Sequence, residues 1–327
     1  MARIAVDAMG GDGAPAVVVE GALEAAADGI QVVLFGRDLD PQGLELVETP
    51  DVIEMDEKPA DAVRAKPDSS LVAANRAVGG GEADAVVSAG NTGAMVAAGL
   101  LHVRRLPSVL RPAIAVVIPA RYGTSVLIDA GANVDARPEH LVQFAHMGSV
   151  FAEEVLERPH PVVRLLSIGE EPEKGNQLTL EAHELLANEP ELEFGGNTEA
   201  RDLLTFAGDV VVCDGFTGNV SLKLLEGTIL ELLDALREEV RGTVRGKLGG
   251  LLIRGAARRL RARLDPETHG GAYLLGLRGL SVIAHGNSSA RAVANAIRLA
   301  ARGVDHRVVE RLAHRLPDRV ASARPAS

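Results

Sequence analysis

The sequence predicts an α/β fold: a doubly wound, mostly parallel sheet in an α/β/α layer arrangement. Three observations predict it. Short apolar runs recur along the chain, each followed by a loop rich in Gly, Asp, Asn, Ser or Thr and then by a helical stretch. The runs are apolar at consecutive positions rather than alternating, as in strands covered by helices on both faces. The unit repeats at least five times, and strands alternating with helices give parallel pairing through right-handed crossovers.

Residues 3–6 (RIAV) form the first strand, which runs into AMGGDGAP and a helix from near Pro15, a residue suited to a first helical turn. Residues 85–87 (AVV) lead into SAGNTGA and a helix from near Met95. Residues 126–128 (VLI) lead into DAGANVDARPEH and a helix from near Pro138. Residues 162–168 lead into GEEPEKGNQ and a helix near Leu178. Residues 210–213 (VVVC) lead into DGFTGN and a helix from near Val220, and residues 281–284 (SVIA) into HGNSSA and a helix from near Arg291. Residues 1–327 read as one large α/β unit without a long repeat, and the last five residues are expected to fray.

Composition narrows the function classes. A net charge of −11 and 2% aromatic residues argue against a general nucleic-acid binder, which needs a basic footprint and stacking surfaces. One Cys excludes a disulfide framework and fits a reducing compartment. The opening Ile4-Ala5-Val6-Asp7 reads as a strand rather than a secretion signal. The longest uncharged run, residues 85–103, is broken by Ser88, Asn91, Thr92 and glycines, so it reads as strand, turn and buried helix rather than a membrane span.

One stretch departs from the pattern. Residues 241–263 hold eight basic residues and no acidic one, interleaved with Leu248, Leu251, Leu252 and Ile253. Residues 235–268 are therefore expected to form a helical, basic and apolar protrusion. Leu248, Leu251, Leu252, Ile253 and Arg254 are its expected contacts with an anionic membrane surface, and a helix–helix or dimer contact is the alternative.

Ligands of a doubly wound sheet bind beyond the carboxyl ends of its strands, where all these polar loops fall. Gly10, Gly11 and Gly13 allow close backbone approach, helix N-termini offer N–H groups, and Ser88, Thr92, Thr217, Ser288 and Ser289 offer hydroxyls. Together they describe an anion site, most naturally for phosphate. A dinucleotide fingerprint is missing, since GDGAPA lacks its last Gly, and so is a Walker loop. No Gly-x-Ser-x-Gly elbow appears, and Cys213 lies in an apolar strand, so an acyl-enzyme route is not expected. With only five lysines in the chain, Lys174 and Lys223 beside these loops are candidate oxyanion or phosphate partners. Asp7, Asp12, Asp129, Asp135 and Asp214 in the same loops suit either a divalent metal or, preferably, orientation of neighbouring donors; no spacing specifies a metal. His285 is a candidate acid, base or phosphate donor.

The strings AVDAMGGDGAP, SAGNTGA, IDAGANVDARPEHLVQFAHMGS, EARDLL, DVVVCDGFTGNVSLKLLEG, HGGAYLLG and AHGNSSA together closely resemble the bacterial phosphate acyltransferase family of the PlsX type, in order from residue 4 to about residue 300. The resemblance implies a fold related to phosphate acetyltransferases and isocitrate-dehydrogenase-like enzymes. It implies formation of acyl phosphate from acyl-[acyl-carrier protein] and inorganic phosphate for phospholipid synthesis. No cofactor is expected, a divalent metal being possible but not specified by the sequence. The product would feed an acyl-phosphate-using glycerol-3-phosphate acyltransferase. It also implies a homodimeric, cytoplasmic enzyme docked on the inner face of the membrane. The family's cleft maps onto the strand-end loops. Lys174, Asn219 and His285 are the expected catalytic residues. Asp7, Gly10, Gly11, Asp12, Ser88, Asn91, Thr92, Asn133, Asp214, Thr217 and Ser288 are expected to bind phosphate and thioester. Gly13 stands where the family usually has His, and His269 stands where an aromatic or amide residue is more usual. Two rival readings are a metal- and NAD-dependent hydroxy-acid dehydrogenase on a related fold and a non-catalytic regulator that binds acyl-carrier protein or a phosphoryl ligand.

Overall fold

The structure, a computed structural model, describes residues 1–264 and 270–316. Its eleven strands are β1 (Arg3–Asp7), β2 (Gln31–Gly36), β3 (Glu45–Glu48), β4 (Ala85–Ser88), β5 (Ala113–Ala120), β6 (Gly123–Ile128), β7 (Val162–Ser167), β8 (Glu193–Glu199), β9 (Val210–Val212), β10 (Ala272–Leu275) and β11 (Leu280–Ile283). They form one sheet in the order β3-β2-β1-β4-β11-β10-β5-β6-β9-β7-β8. Its helices are α1 (Ala16–Ala26), α2 (Pro59–Ala65), α3 (Ser70–Gly79), α4 (Thr92–Ala98), α5 (Pro138–Val155), α6 (Gln177–Ala187), α7 (Gly215–Gly242), α8 (Val244–Leu264), α9 (Ala290–Asp305) and α10 (Val308–Arg315).

The helices cover both faces. Ile4 and Val6 of β1 pack on the side of α1, α5, α9 and α10, while the intervening Ala5 packs with α2, α3 and α4. That alternation, with both sides buried, is why these strands read as unbroken apolar runs.

Seven of the ten strand pairings are parallel and three are antiparallel: β10–β11, β10–β5 and β5–β6. The antiparallel block reverses the sheet, so β6, β9, β7 and β8 run opposite to β1, β2, β3, β4 and β11. The register then places Ile283 beside Ala272, Ala272 beside Val116, and Val116 beside Leu127. The last residues of β11 and β6 stand level at the middle of the sheet, reached from opposite directions. Loops from both half-sheets thus converge on one place.

Two helices start earlier than their loops suggested. Asn91 accepts from Ala94 N at 3.0 Å and Asp214 from Thr217 N at 2.9 Å, so α4 begins at Thr92 and α7 at Gly215. GNTGA and DGFTGN are capped first turns, not open loops. Helix α7 then runs 28 residues, of which only Gly215, Gly218, Leu222 and Ile229 are buried, and α8 buries nothing. The two form an extended hairpin carrying exposed Leu248, Leu251, Leu252 and Ile253. Residues 265–268 of the expected protrusion, His269 and the expected frayed end lie outside the described residues.

Candidate active site

The first wall of the convergence is built by three glycine-rich turns pressed together. Asp7 is buried at the end of β1, and its Oδ2 accepts from Ser88 Oγ at 2.6 Å. Ser88 Oγ in turn accepts from Gly90 N at 3.0 Å. Burial pushes the Asp7 carboxyl above the usual range, opposed by hydrogen bonds from Ser70, Ser88, Met9 and Gly10. A β-carbon on Gly10 would sit 2.6 Å from both Asp7 Oδ2 and Gly90 N, so the turns after β1 and β4 touch backbone to backbone. Gly11, with φ +102°, packs on Gly286 O, and Asp12 N donates to Gly286 O at 2.7 Å, which ties the turn after β11 into the same wall. A β-carbon at Gly13 would stand 2.6 Å from Val17 Cγ2.

The second wall comes from the other half-sheet. Asp129, fully buried after β6, accepts from Ile114 N, Gly131 N, Ala132 N and Asn133 N at 2.7–3.1 Å. It also accepts from Asn133 Nδ2 at 2.8 Å. Burial pushes its carboxyl up while those donors pull it down. A β-carbon at Gly218 would lie 2.0 Å from Asp129 O, so the first turn of α7 is packed directly on this loop. Burial, then the charges of Asp129 and Asp214, push the Cys213 thiol well up, which keeps it a protonated, inert core group.

Between the walls lies a cavity of about 350 Å³. Thr92, Gly93, Gly131 and Gly286 edge it, and one face of α7 supplies Asn219, Lys223 and Glu226. His285 enters from the turn after β11, its Nε2 3.3 Å from Glu226 Oε1. The remaining surface is apolar: Ile114, Val116 and Ile118 of β5 face Leu222, Leu225 and Ile229 of α7, with Leu264 of α8 beside them. A polar mouth over an apolar floor suits a ligand with a charged reacting end and a greasy tail.

The expected site residues therefore divide. Thr92, Asn219 and His285 line the cavity. Asp7, Gly10, Gly11, Asp12 and Ser88 shape the first wall, and the Ser88 hydroxyl is turned onto Asp7 rather than offered to a ligand. The Asn91 amide is committed to Met55 O, Glu57 O and the α4 cap. Asn133 Nδ2 is committed to Pro112 O and Asp129, and Thr217 Oγ1 donates to Asp214 at 2.7 Å. Ser288 closes the turn by donating its N–H to His285 O at 3.0 Å. Lys174 is not brought to the cavity: it is exposed on the loop after β7, which is separated from β6 by β9. Lys223 is the lysine the cavity holds. Glu226 and Met55 were not anticipated. Glu226 is one residue among many in an amphipathic helix, and only its spacing of seven from Asn219 placed it on the same face.

Among the described residues no group of three His, Cys, Asp or Glu side chains is arranged to hold a metal ion, and no helix is long and apolar enough to cross a membrane.

The fold has solved counterparts. A branched-chain phosphotransacylase from Enterococcus faecalis V583 superposes with a TM-score of 0.59 at 17% identity, covering 93% of this chain and 99% of that one. A 4-hydroxythreonine-4-phosphate dehydrogenase from Klebsiella pneumoniae gives a TM-score of 0.52 at 14% identity, over 93% and 100%. These likenesses establish a fold shared by phosphotransacylases and dehydrogenases, as the sequence motifs implied. Residues 2–311 match the family model described as "Fatty acid synthesis protein". A phosphate acyltransferase from Heliobacterium modesticaldum is 45% identical over 331 residues, spanning 97% of this chain and 98% of its relative. The chain is an acyltransferase, and it belongs to the phosphate acyltransferase family.

Proposed function

We propose that the enzyme makes acyl phosphate from acyl-[acyl-carrier protein] and inorganic phosphate, by direct attack of bound phosphate on the thioester. The observation that supports this most is the single cavity in which Asn219, Lys223, His285 and the Thr92–Gly93 backbone stand at the mouth of an apolar groove. The groove is the feature an acyl chain requires and a small hydroxy acid does not.

The reaction asks little of proton transfer at the nucleophile. With a second pKa near ~6, phosphate is mostly dianionic at neutral pH. One phosphate oxygen bonds to the thioester carbon, the carbonyl becomes an oxyanion, and its collapse breaks the C–S bond. The thiol, with a pKa of ~8.5, leaves as thiolate or takes a proton on departure. Holding the two reactants in line contributes up to ~7–11 kcal/mol when geometry is favourable. In this reading Thr92, Gly93 and Lys223 hold phosphate, Asn219 donates to the oxyanion, and His285 serves the departing thiol. Lys174 would join only by swinging inward from the neighbouring strand end or from a second copy of the chain.

The reading extends to a homodimer that works at the inner face of the cytoplasmic membrane and supplies a glycerol-3-phosphate acyltransferase. The basic α7–α8 hairpin with its exposed leucines supports the surface contact. The deciding experiment mixes the purified protein with acyl-[acyl-carrier protein] and measures phosphate-dependent thiol release together with acyl phosphate. Thiol release without a phosphate requirement would refute the reading.

A further inference from the structure

A cavity that must hold a phosphate dianion should repel carboxylates, yet Glu226 lines it. Its side chain is mostly buried, with 21% exposed, and its Oε1 lies 3.3 Å from Nε2 of His285. The two groups come from different half-structures: Glu226 from the middle of α7, His285 from the turn that follows β11. Their meeting is imposed by the fold, not by local sequence.

We propose that Glu226 is a positioning residue that holds His285 in one tautomer and orientation for the acyl-transfer step; this rests on the function proposed above. An imidazole that donates its Nε2–H to a carboxylate carries its lone pair on Nδ1. Nδ1 is then the nitrogen that takes the proton carried by the attacking hydrogen phosphate and passes it to the departing thiolate, so the ring ends the step as it began. The pairing also answers the charge problem. A carboxylate directed at a histidine ring is screened from the phosphate, and if the ring gains a proton the pair becomes neutral instead of leaving a bare negative charge in the cavity. Asn219 and Lys223 stand on the same helix, two turns and about one turn before Glu226. One rigid element therefore carries the oxyanion donor, the phosphate cation and the orienter of the histidine.

The test uses the full chain, acyl-[acyl-carrier protein] and phosphate, with E226Q, E226D, H285N and the E226Q/H285N double variant. E226Q is expected to lower kcat about 10-fold or more, part of the ~10²–10⁴ that a positioned acid or base supplies, with little change in KM for phosphate. E226D is expected to recover much of that loss. The double variant is expected to be no slower than H285N alone, because the carboxylate acts only through the ring. Independently of activity, ¹⁵N spectra of the His285 ring are expected to show the Nε2–H tautomer in the parent and a mixture in E226Q. Unchanged ring shifts in E226Q, or effects of the two single variants that simply multiply, overturn the assignment. A parent enzyme that forms no acyl phosphate refutes the proposed function and takes this assignment with it. An active parent with a fully active E226Q refutes the assignment alone.

Discussion

If the groove between β5 and α7 holds the acyl chain, substrate preference should rise with chain length in steps that can be calculated. Each methylene moved from water onto the surface formed by Val116, Leu222, Leu225 and Ile229 gains about 0.8 kcal/mol. At 1.36 kcal/mol per tenfold change, that is roughly fourfold in kcat/KM per methylene. Extending a soluble acyl thioester from eight to twelve carbons should thus raise kcat/KM by about 200-fold, until the groove is full. Val116 supplies the perturbation. It lies in the interior of β5 yet is only partly buried, because its side chain opens onto the cavity. In Val116→Phe the ring should occupy the groove and leave the core packing of β5 unchanged. Thiol release is measured at fixed phosphate across the series in both proteins. The parent should show the rising slope, and Val116→Phe should flatten it for the longer chains while leaving KM for phosphate unaltered. A flat series in the parent, or the same slope in both proteins, would refute the placement of the chain.

Asn219→Ala should lower turnover by about 100-fold or more, the effect of losing one oxyanion donor, with the melting temperature little changed; turnover near that of the parent removes Asn219 from the mechanism. Gly10→Ala drives a β-carbon against Asp7 and the Gly90 backbone, and should cost ~1–3 kcal/mol in urea denaturation along with a loss of activity. His146 is buried beside Glu189 and Glu191, and burial pushes its imidazole below the usual value, so the folded state holds it neutral while the unfolded chain takes up a proton. Stability should therefore be fully present above about pH 6.5 and fall as the pH drops below it, and His146→Asn should flatten that part of the curve; an unchanged slope contradicts it. Replacing Leu251, Leu252 and Ile253 together by Ser should release the protein from anionic vesicles and spare turnover in solution, whereas undiminished co-sedimentation would count against a membrane role for the hairpin.

How much of this was legible depended on whether a feature is local. The strands at Arg3–Asp7, Ala85–Ser88 and Val210–Val212 announce themselves because each is a short run buried on both faces and followed by a polar turn. Strands β5 and β10 do not, because what distinguishes them is direction, which is set by pairing with residues far away in the chain. The candidate site was half visible for the same reason. Motif residues such as Asp7, Ser88, Asn91 and Asn133 stand out in the sequence, and they build the walls. The groove floor is made of ordinary Ile, Val and Leu, indistinguishable from core until α7 is laid across β5. Lys174 looked equivalent to Lys223 because both follow strand-end turns; Lys223 lines the cavity because α7 follows β9, next to β6, whereas Lys174 follows β7, one strand further out.

Under the proposed function, the reversal also gives an acidic chain a place for a dianion. In a sheet with all strands parallel, every C-terminal turn lies along one edge, and a ligand meets turns on either side of a single switch point. Here the β10–β5–β6 block lets turns from opposed half-sheets face the same volume, so donors reach a ligand from two sides. The cost of such turns is that their tight geometry uses aspartates, and each aspartate is a threat to anion binding. The structure answers residue by residue. Asp7 is turned onto hydroxyl and backbone donors, Asp129 onto four backbone N–H groups and an amide, and Asp214 onto the first turn of α7. Among the described residues Glu226 is the one carboxylate left lining the cavity, and it faces a histidine. Negative charge is thus spent inside the walls, where it organises backbone N–H groups, and the field at the mouth is left to Lys223 and the amides. This arrangement of aspartates bears directly on phosphate affinity. Neutralising Asp129 as Asn removes an acceptor that five N–H groups share, so phosphate binding should weaken with it, although a simple count of charges near the site would have it tighten.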